Sequence, residues 1–145
     1  MKKLIAITTL TLVTTSAVFA HSGVKDEHVL ARMKGMSALS EDMKIIGGMA
    51  KGEAAFDAEA VNDALARMSE ESARIEGLFE TRADDPKSEA RALIWEDFSG
   101  FTEKADDLTK VTAGLSGTIQ SADDLGPLLK QVGKSCSTCH SDYRE

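Results

Sequence analysis

The stretch DDLGPLLKQVGKSCSTCHSDY, residues 123–143, decides how the rest of the chain reads. Its apolar positions Leu125, Leu128, Val132, Cys136, Cys139 and Tyr143 recur at steps of three and four. That spacing lines up one face of a helix. A helix is therefore predicted from between Asp123 and Pro127 to about Tyr143. Inside it stands Cys136-Ser137-Thr138-Cys139-His140, and Cys-x-x-Cys-His is the pattern of c-type haem attachment. Two thiols must add to the two vinyl groups of one haem, so they must lie close together on one side of the chain. Positions three apart on a helix do so. The His after the second Cys turns its imidazole toward the iron, for which imidazole is a common axial ligand.

Other uses of two cysteines fit less well. A thioredoxin-like redox pair calls for a preceding strand in a βαβ context, and none is visible. A structural zinc site lacks donors, since there are two Cys in all and the other histidines are His21 and His28. Spacing alone leaves a structural disulfide open.

Residues 1–20 read as a secretory signal. Lys2 and Lys3 form a basic start, Leu4 to Val13 is apolar with threonines, and Val18-Phe19-Ala20 ends in a small residue. The apolar run is too short and too rich in threonine for a membrane span. Cleavage after Ala20 would leave 21–145 as one domain, exported to a bacterial periplasm, with no membrane anchor. The formal net charge is −7; taking away Lys2 and Lys3, and no acid, leaves −9. An acidic surface disfavours nucleic acid and anionic membranes.

Three more helical stripes precede the last. Val29, Met33, Met36, Leu39, Met43 and Ile46 mark a segment from about Lys25 to Ala50. Val61, Leu65, Met68, Ser72, Ile75 and Phe79 mark a second, about 57–80, with Asp57 as its N-cap and Phe56 and Val61 spaced as a hydrophobic staple. Asp85-Pro86 suits the start of a third, which carries Ala90, Ile94, Phe98, Phe101, Ala105 and Leu108 inward and fades at Gly114 to Gly117. Four such helices with short links predict an all-α, antiparallel up-down-up-down bundle.

In that topology the first and fourth helices are antiparallel. What faces His140 across the iron must come from early in the first helix. His28, Met33 and Met36 are the candidates. Met43, seven residues beyond Met36 or about 10 Å along the axis, lies deeper. His28 falls off the stripe, so an exposed role suits it. Methionine is also an ordinary core filler.

Several features together resemble the cytochrome c′ family, the class II c-type cytochromes. The haem motif sits almost at the C-terminus, in Cys136-Ser-Thr-Cys-His-Ser-Asp-Tyr-Arg144, with Val132-Gly133 just upstream. Lys51-Gly-Glu-Ala-Ala-Phe-Asp-Ala58 resembles the first loop of the family, with Ala55 where proline is common. Ile94-Trp95 followed by Phe101 resembles its third helix, and Arg32 its early arginine. The resemblance implies one covalent haem c, held through Cys136 and Cys139, with His140 on the iron. It implies that the residue four after Arg32, Met36, is the distal one. High-spin members carry an apolar non-ligand there, and the low-spin subgroup carries methionine. Arg32 would then meet a haem propionate, or else be a solvated arginine. Arg144, one turn after His140, would lie near the proximal ligand. Phe79 and Phe101 would touch the haem or fill the core, and core packing suits Trp95 best.

The expectation is a non-enzymatic electron carrier, monomer or homodimer, meeting other periplasmic redox proteins through transient contacts. The alternative is a five-coordinate protein that binds nitric oxide or carbon monoxide. Haem-based catalysis lacks a distal acid–base residue other than His28.

Overall fold

A computed structural model describes residues 23–145; the leader read at 1–20 lies outside them. The first helix, α1, spans Glu27–Ala50. Asp26 caps it, its Oδ1 accepting from the amides of His28 at 2.9 Å and Val29 at 3.0 Å. These amides have no partner within the helix, so such a cap contributes about 1 kcal/mol. Gly52, with φ +74°, then turns the chain in a conformation that disfavours a side chain.

The second stripe is broken. α2 covers Ala58–Ala73, with Asp57 accepting from the Ala60 amide as expected. Arg74 interrupts the helix, its amide bonding back only three residues to the Glu71 carbonyl, and α3 resumes at Ile75–Phe79.

The third helix starts later than Asp85-Pro86 predicts. The Asp85 carboxylate accepts from the Lys87 amide at 3.0 Å and the Lys25 amide at 2.9 Å, which fixes a turn rather than a helix start. Ala90 lies in an isolated antiparallel bridge with Arg144. Only then come α4, Leu93–Glu96, and α5, Phe98–Leu115. Asp97 caps α5 by accepting from the Gly100 amide at 3.2 Å. A single 3-10 turn at Ala122–Asp124 leads into α6, Leu125–Tyr143.

The packing partners form a ring. α1 lies on α2 and α3, α2 on α5, α5 on α6, and α6 on α1. This is an antiparallel four-helix bundle with α3 and α4 as short pieces at one corner. Ile46, Val61, Leu65, Leu125, Leu128 and Val132 are at most 1% exposed, each contributing roughly 1.5–3 kcal/mol by leaving water. At the end away from the cysteines, Asn62 pins the 116–119 link. Its Oδ1 accepts from the amides of Gly117 at 2.8 Å and Ile119 at 3.2 Å, and its Nδ2 donates to the Ile119 carbonyl at 2.9 Å. Among the described residues no helix is long and apolar enough to cross a membrane.

Candidate functional site

At the other end the bundle opens into a cavity of about 630 Å³ whose walls come from α1, α2, α3, α5 and α6. Cofactor pockets commonly occupy roughly 300–1,000 Å³. α6 supplies one wall. Because Cys136 and Cys139 are three apart on one helical face, both thiols line the cavity, half-buried and not bonded to each other. Burial pushes both thiols up from their ordinary pKa; at Cys139 the Lys104 ammonium pulls the other way, while Cys136 and Asp142 add to the rise. His140 lies on the rim. Partial burial lowers its pKa, the Arg144 guanidinium lowers it further, and Glu89 opposes both. The net shift is downward, which favours the neutral imidazole, the form that ligates a metal.

The end of α6 is heavily tied down. Arg91 donates to the carbonyls of Ser141 at 3.1 Å and Asp142 at 3.2 Å, satisfying oxygens that a helix end leaves open. The Arg91 amide bonds the Tyr143 carbonyl at 3.0 Å, and the Glu145 amide bonds the Glu89 carbonyl at 2.9 Å. Arg144 is ion-paired to Glu89, its Nε 2.6 Å from Oε2. Lys104 of α5 meets Asp142 at 3.0 Å. The Tyr143 hydroxyl donates to Asp97 at 2.7 Å, and burial with that carboxylate raises its pKa to about 12.

α1 supplies another wall, with Val29, Arg32, Met33, Met36, Leu39 and Met43 on the cavity. Arg32 is 3% exposed. Its Nε donates to the Leu78 carbonyl at 3.1 Å, one terminal nitrogen to Ala83 at 3.2 Å, and the other to Thr81. The guanidinium also stacks 5.1 Å from the Phe79 ring centroid and 4.9 Å from that of Trp95. Burial lowers its pKa, with Asp26 and Asp84 pulling it back up. It is thus no solvated arginine. Phe79 and Phe101 line the cavity with ring centroids 4.9 Å apart, and Phe101 meets Tyr143 edge-on at 5.3 Å.

The structure thus brings Cys136, Cys139, His140, Met36, Arg32, Phe79, Phe101 and Arg144 to one cavity. His28 is exposed and off it. Trp95 is only half-buried, its Nε1 donating to the Phe79 carbonyl at 2.8 Å. Met43 and Met68 also line the cavity, so depth along α1 does not remove Met43. Lys87, Ser88 and Glu89 were not legible as site residues, because they belong to a stretch that reads as helix and folds as a turn. Lys104 was legible in principle, being three residues beyond Phe101 on the same helix.

The donor set fits a haem. Two thiols on one helical face, a neutral imidazole beside them and a thioether-rich facing helix are the groups that attach and axially ligate such a ring, and the remaining lining is mostly apolar.

The comparisons agree. The profile of the Cytochrome C' family matches residues 27–144. A cytochrome c-556 from Rhodopseudomonas palustris is 29% identical over 139 residues, 92% of this chain and 91% of the relative. A cytochrome c' from the same organism is 31% identical over 126 residues, 83% of this chain and 84% of the relative. An NMR-validated structural model of the oxidised R. palustris cytochrome c556 aligns with a TM-score of 0.75 at 28% identity, covering 83% of this chain and 98% of that one.

Proposed function

This chain belongs to the cytochrome c′ family, whose cofactor is covalent haem c, and within it we propose an exported, periplasmic electron carrier with Met36 as its distal ligand. When bound, the haem supplies an iron that takes up and releases one electron. Cys136 and Cys139 would hold it by thioether links from one face of α6. His140 would offer its imidazole from the end of α6, a backbone fixed by the ties described above. Met36 offers a thioether from α1, and an axial Met with His is a known pairing that raises the potential. Phe79, Phe101 and the aliphatic lining would give the iron a largely apolar surrounding, which tunes such a centre. Arg144, paired with Glu89, sets the charge beside His140.

The observation that carries this reading is one cavity shared by the Cys136–Cys139–His140 face of α6 and the Met36 face of α1. What singles out Met36 among the thioethers is the family resemblance, which puts the distal residue one helical turn after the arginine that Arg32 matches. Relatives named cytochrome c-556 and cytochrome c' both match this chain. Carbon monoxide binding tests it. The ferrous wild type should bind the gas slowly, because sulfur must first leave the iron, and Met36→Ala should bind it fast. Equally fast binding by both proteins would end the proposal.

A second reading rests on the other methionines. Met33, Met43 and Met68 also line the cavity. If Met36 packs as they do, the sixth position is open and the protein binds nitric oxide or carbon monoxide.

A further inference from the structure

Arg32 has three nitrogens, and each donates to a different backbone carbonyl: Leu78, Thr81 and Ala83. These three oxygens belong to the corner where α3 ends and the chain turns toward α4. The same guanidinium lies against Phe79 and Trp95, and Trp95 in turn donates to the Phe79 carbonyl at 2.8 Å. Arg82 lies against the Trp95 ring as well, 5.6 Å from its centroid. The whole corner is thus assembled about one side chain of α1.

α1 also approaches this corner closely. A Cβ at Gly35 would meet the Leu78 side chain at 3.0 Å and a Glu71 carboxylate oxygen at 2.7 Å. Gly35 is buried, so α1 is seated closely here, and a larger residue would have to push the ends of the Glu71 and Leu78 side chains aside. Arg32 and Met36 are one helical turn apart on the same wall of the cavity. A shift of α1 along or about its axis moves Met36 with it. The planar fork of arginine suits this task, because it fixes direction as well as distance, which an ammonium does not.

We propose that Arg32 is a positioning residue: by clamping α1 to the carbonyls of the 78–83 corner, it sets the placement of the Met36 sulfur over the iron. This rests on the reading of Met36 as distal ligand. It differs from the propionate contact that resemblance implies, because the nitrogens are directed at backbone carbonyls. Without the clamp, α1 samples registers in which the sulfur is off the iron, and the sixth position opens for part of the time. Gas binding then speeds in proportion to that open fraction.

The test uses the haem-loaded protein and compares wild type with Arg32→Lys, Arg32→Met and Trp95→Phe. The spin state of the oxidised iron and the carbon monoxide association rate are read together with helix content. Arg32→Lys keeps the charge but not the fork. Expected are a mixed high- and low-spin iron and gas binding faster by about tenfold in both Arg32 variants, at unchanged helix content. Trp95→Phe keeps a ring beneath the guanidinium but loses the bond to Phe79, and should move both readouts the same way by less. If the Arg32 variants do not fold, Trp95→Phe alone decides. A low-spin wild type whose folded variants all keep its spectrum and rate overturns this proposal and leaves Met36 as ligand. Full restoration by lysine overturns it too, since charge would then be what matters. A high-spin wild type removes both readings at once.

Discussion

The two principal walls of the cavity are held in different ways. The α6 wall is fixed by several independent polar ties close to His140: Arg91 on the Ser141 and Asp142 carbonyls, Arg144 on Glu89, Lys104 on Asp142, and Tyr143 on Asp97. The α1 wall around Met36 presents mainly apolar side chains to the cavity, and Arg32 ties it to the 78–83 corner, with Asp42 paired to Arg67 further along the helix. Losing one of several ties costs little, whereas losing Arg32 loosens α1 at the 78–83 corner, while its other end stays packed and ion-paired through Asp42 and Arg67. The proximal side is therefore built to be invariant. The distal side is where a single substitution changes chemistry.

The largest effect should come from removing the covalent links. Cys136→Ser with Cys139→Ser should give colourless protein of low helix content, because the haem fills the cavity of about 630 Å³ and an empty one costs packing energy. Acid-acetone should leave the colour on the wild type, and full release of haem into the organic phase would break this side of the comparison. Next comes His140→Ala, which should keep the thioethers but lose the His-ligand signals. Their survival would contradict His140 as the proximal residue.

Smaller effects sharpen the contrast. Asp97→Asn should keep the α5 cap, because asparagine caps as well as aspartate, but lose the oxygen that accepts from the Tyr143 hydroxyl, lowering stability by about 1 kcal/mol in a denaturant titration with little change in the haem spectrum. Tyr143 is the one tyrosine of the chain, so its titration can be followed alone. Its phenol should ionise at about 12 in the folded protein, against about 10 in an unfolded one. The folded-state pKa is the higher one, so this group's contribution is intact below pH ~10 and is lost as pH rises from there through 12. Asp97→Asn should bring the folded value down, since the neighbouring carboxylate is one of its causes. The smallest effect is expected from Met33→Ala, which should cost packing energy and leave the iron low-spin.

Much of the bundle was legible because its stripes are long. The face Leu125–Leu128–Val132–Cys136–Cys139–Tyr143 sets both the helix and the two attachment thiols, and the Asp57 cap formed as read. The third helix was misplaced because Asp85-Pro86 carries the chemistry of a helix start. Only the structure shows its carboxylate spent on Lys25, sixty residues away in sequence, and Asp97 taking the capping role. Arg32 was half legible. Its place before Met36 follows from the family resemblance, but its carbonyl partners lie 46 to 51 residues off. No local pattern reports such contacts, and an arginine at the stripe edge looks like any solvated one. The turn at 85–92 hid Lys87 and Glu89 for the same reason.

The central claim is that α1 places a sulfur on the iron, and the near-infrared absorption of the oxidised wild-type protein tests it most directly. The account predicts a low-spin iron with a weak sulfur-to-iron charge-transfer band, lost in Met36→Ala and kept in Met33→Ala. A wild type that is high-spin and five-coordinate, with no such band, would contradict it and leave the gas-binding reading in its place.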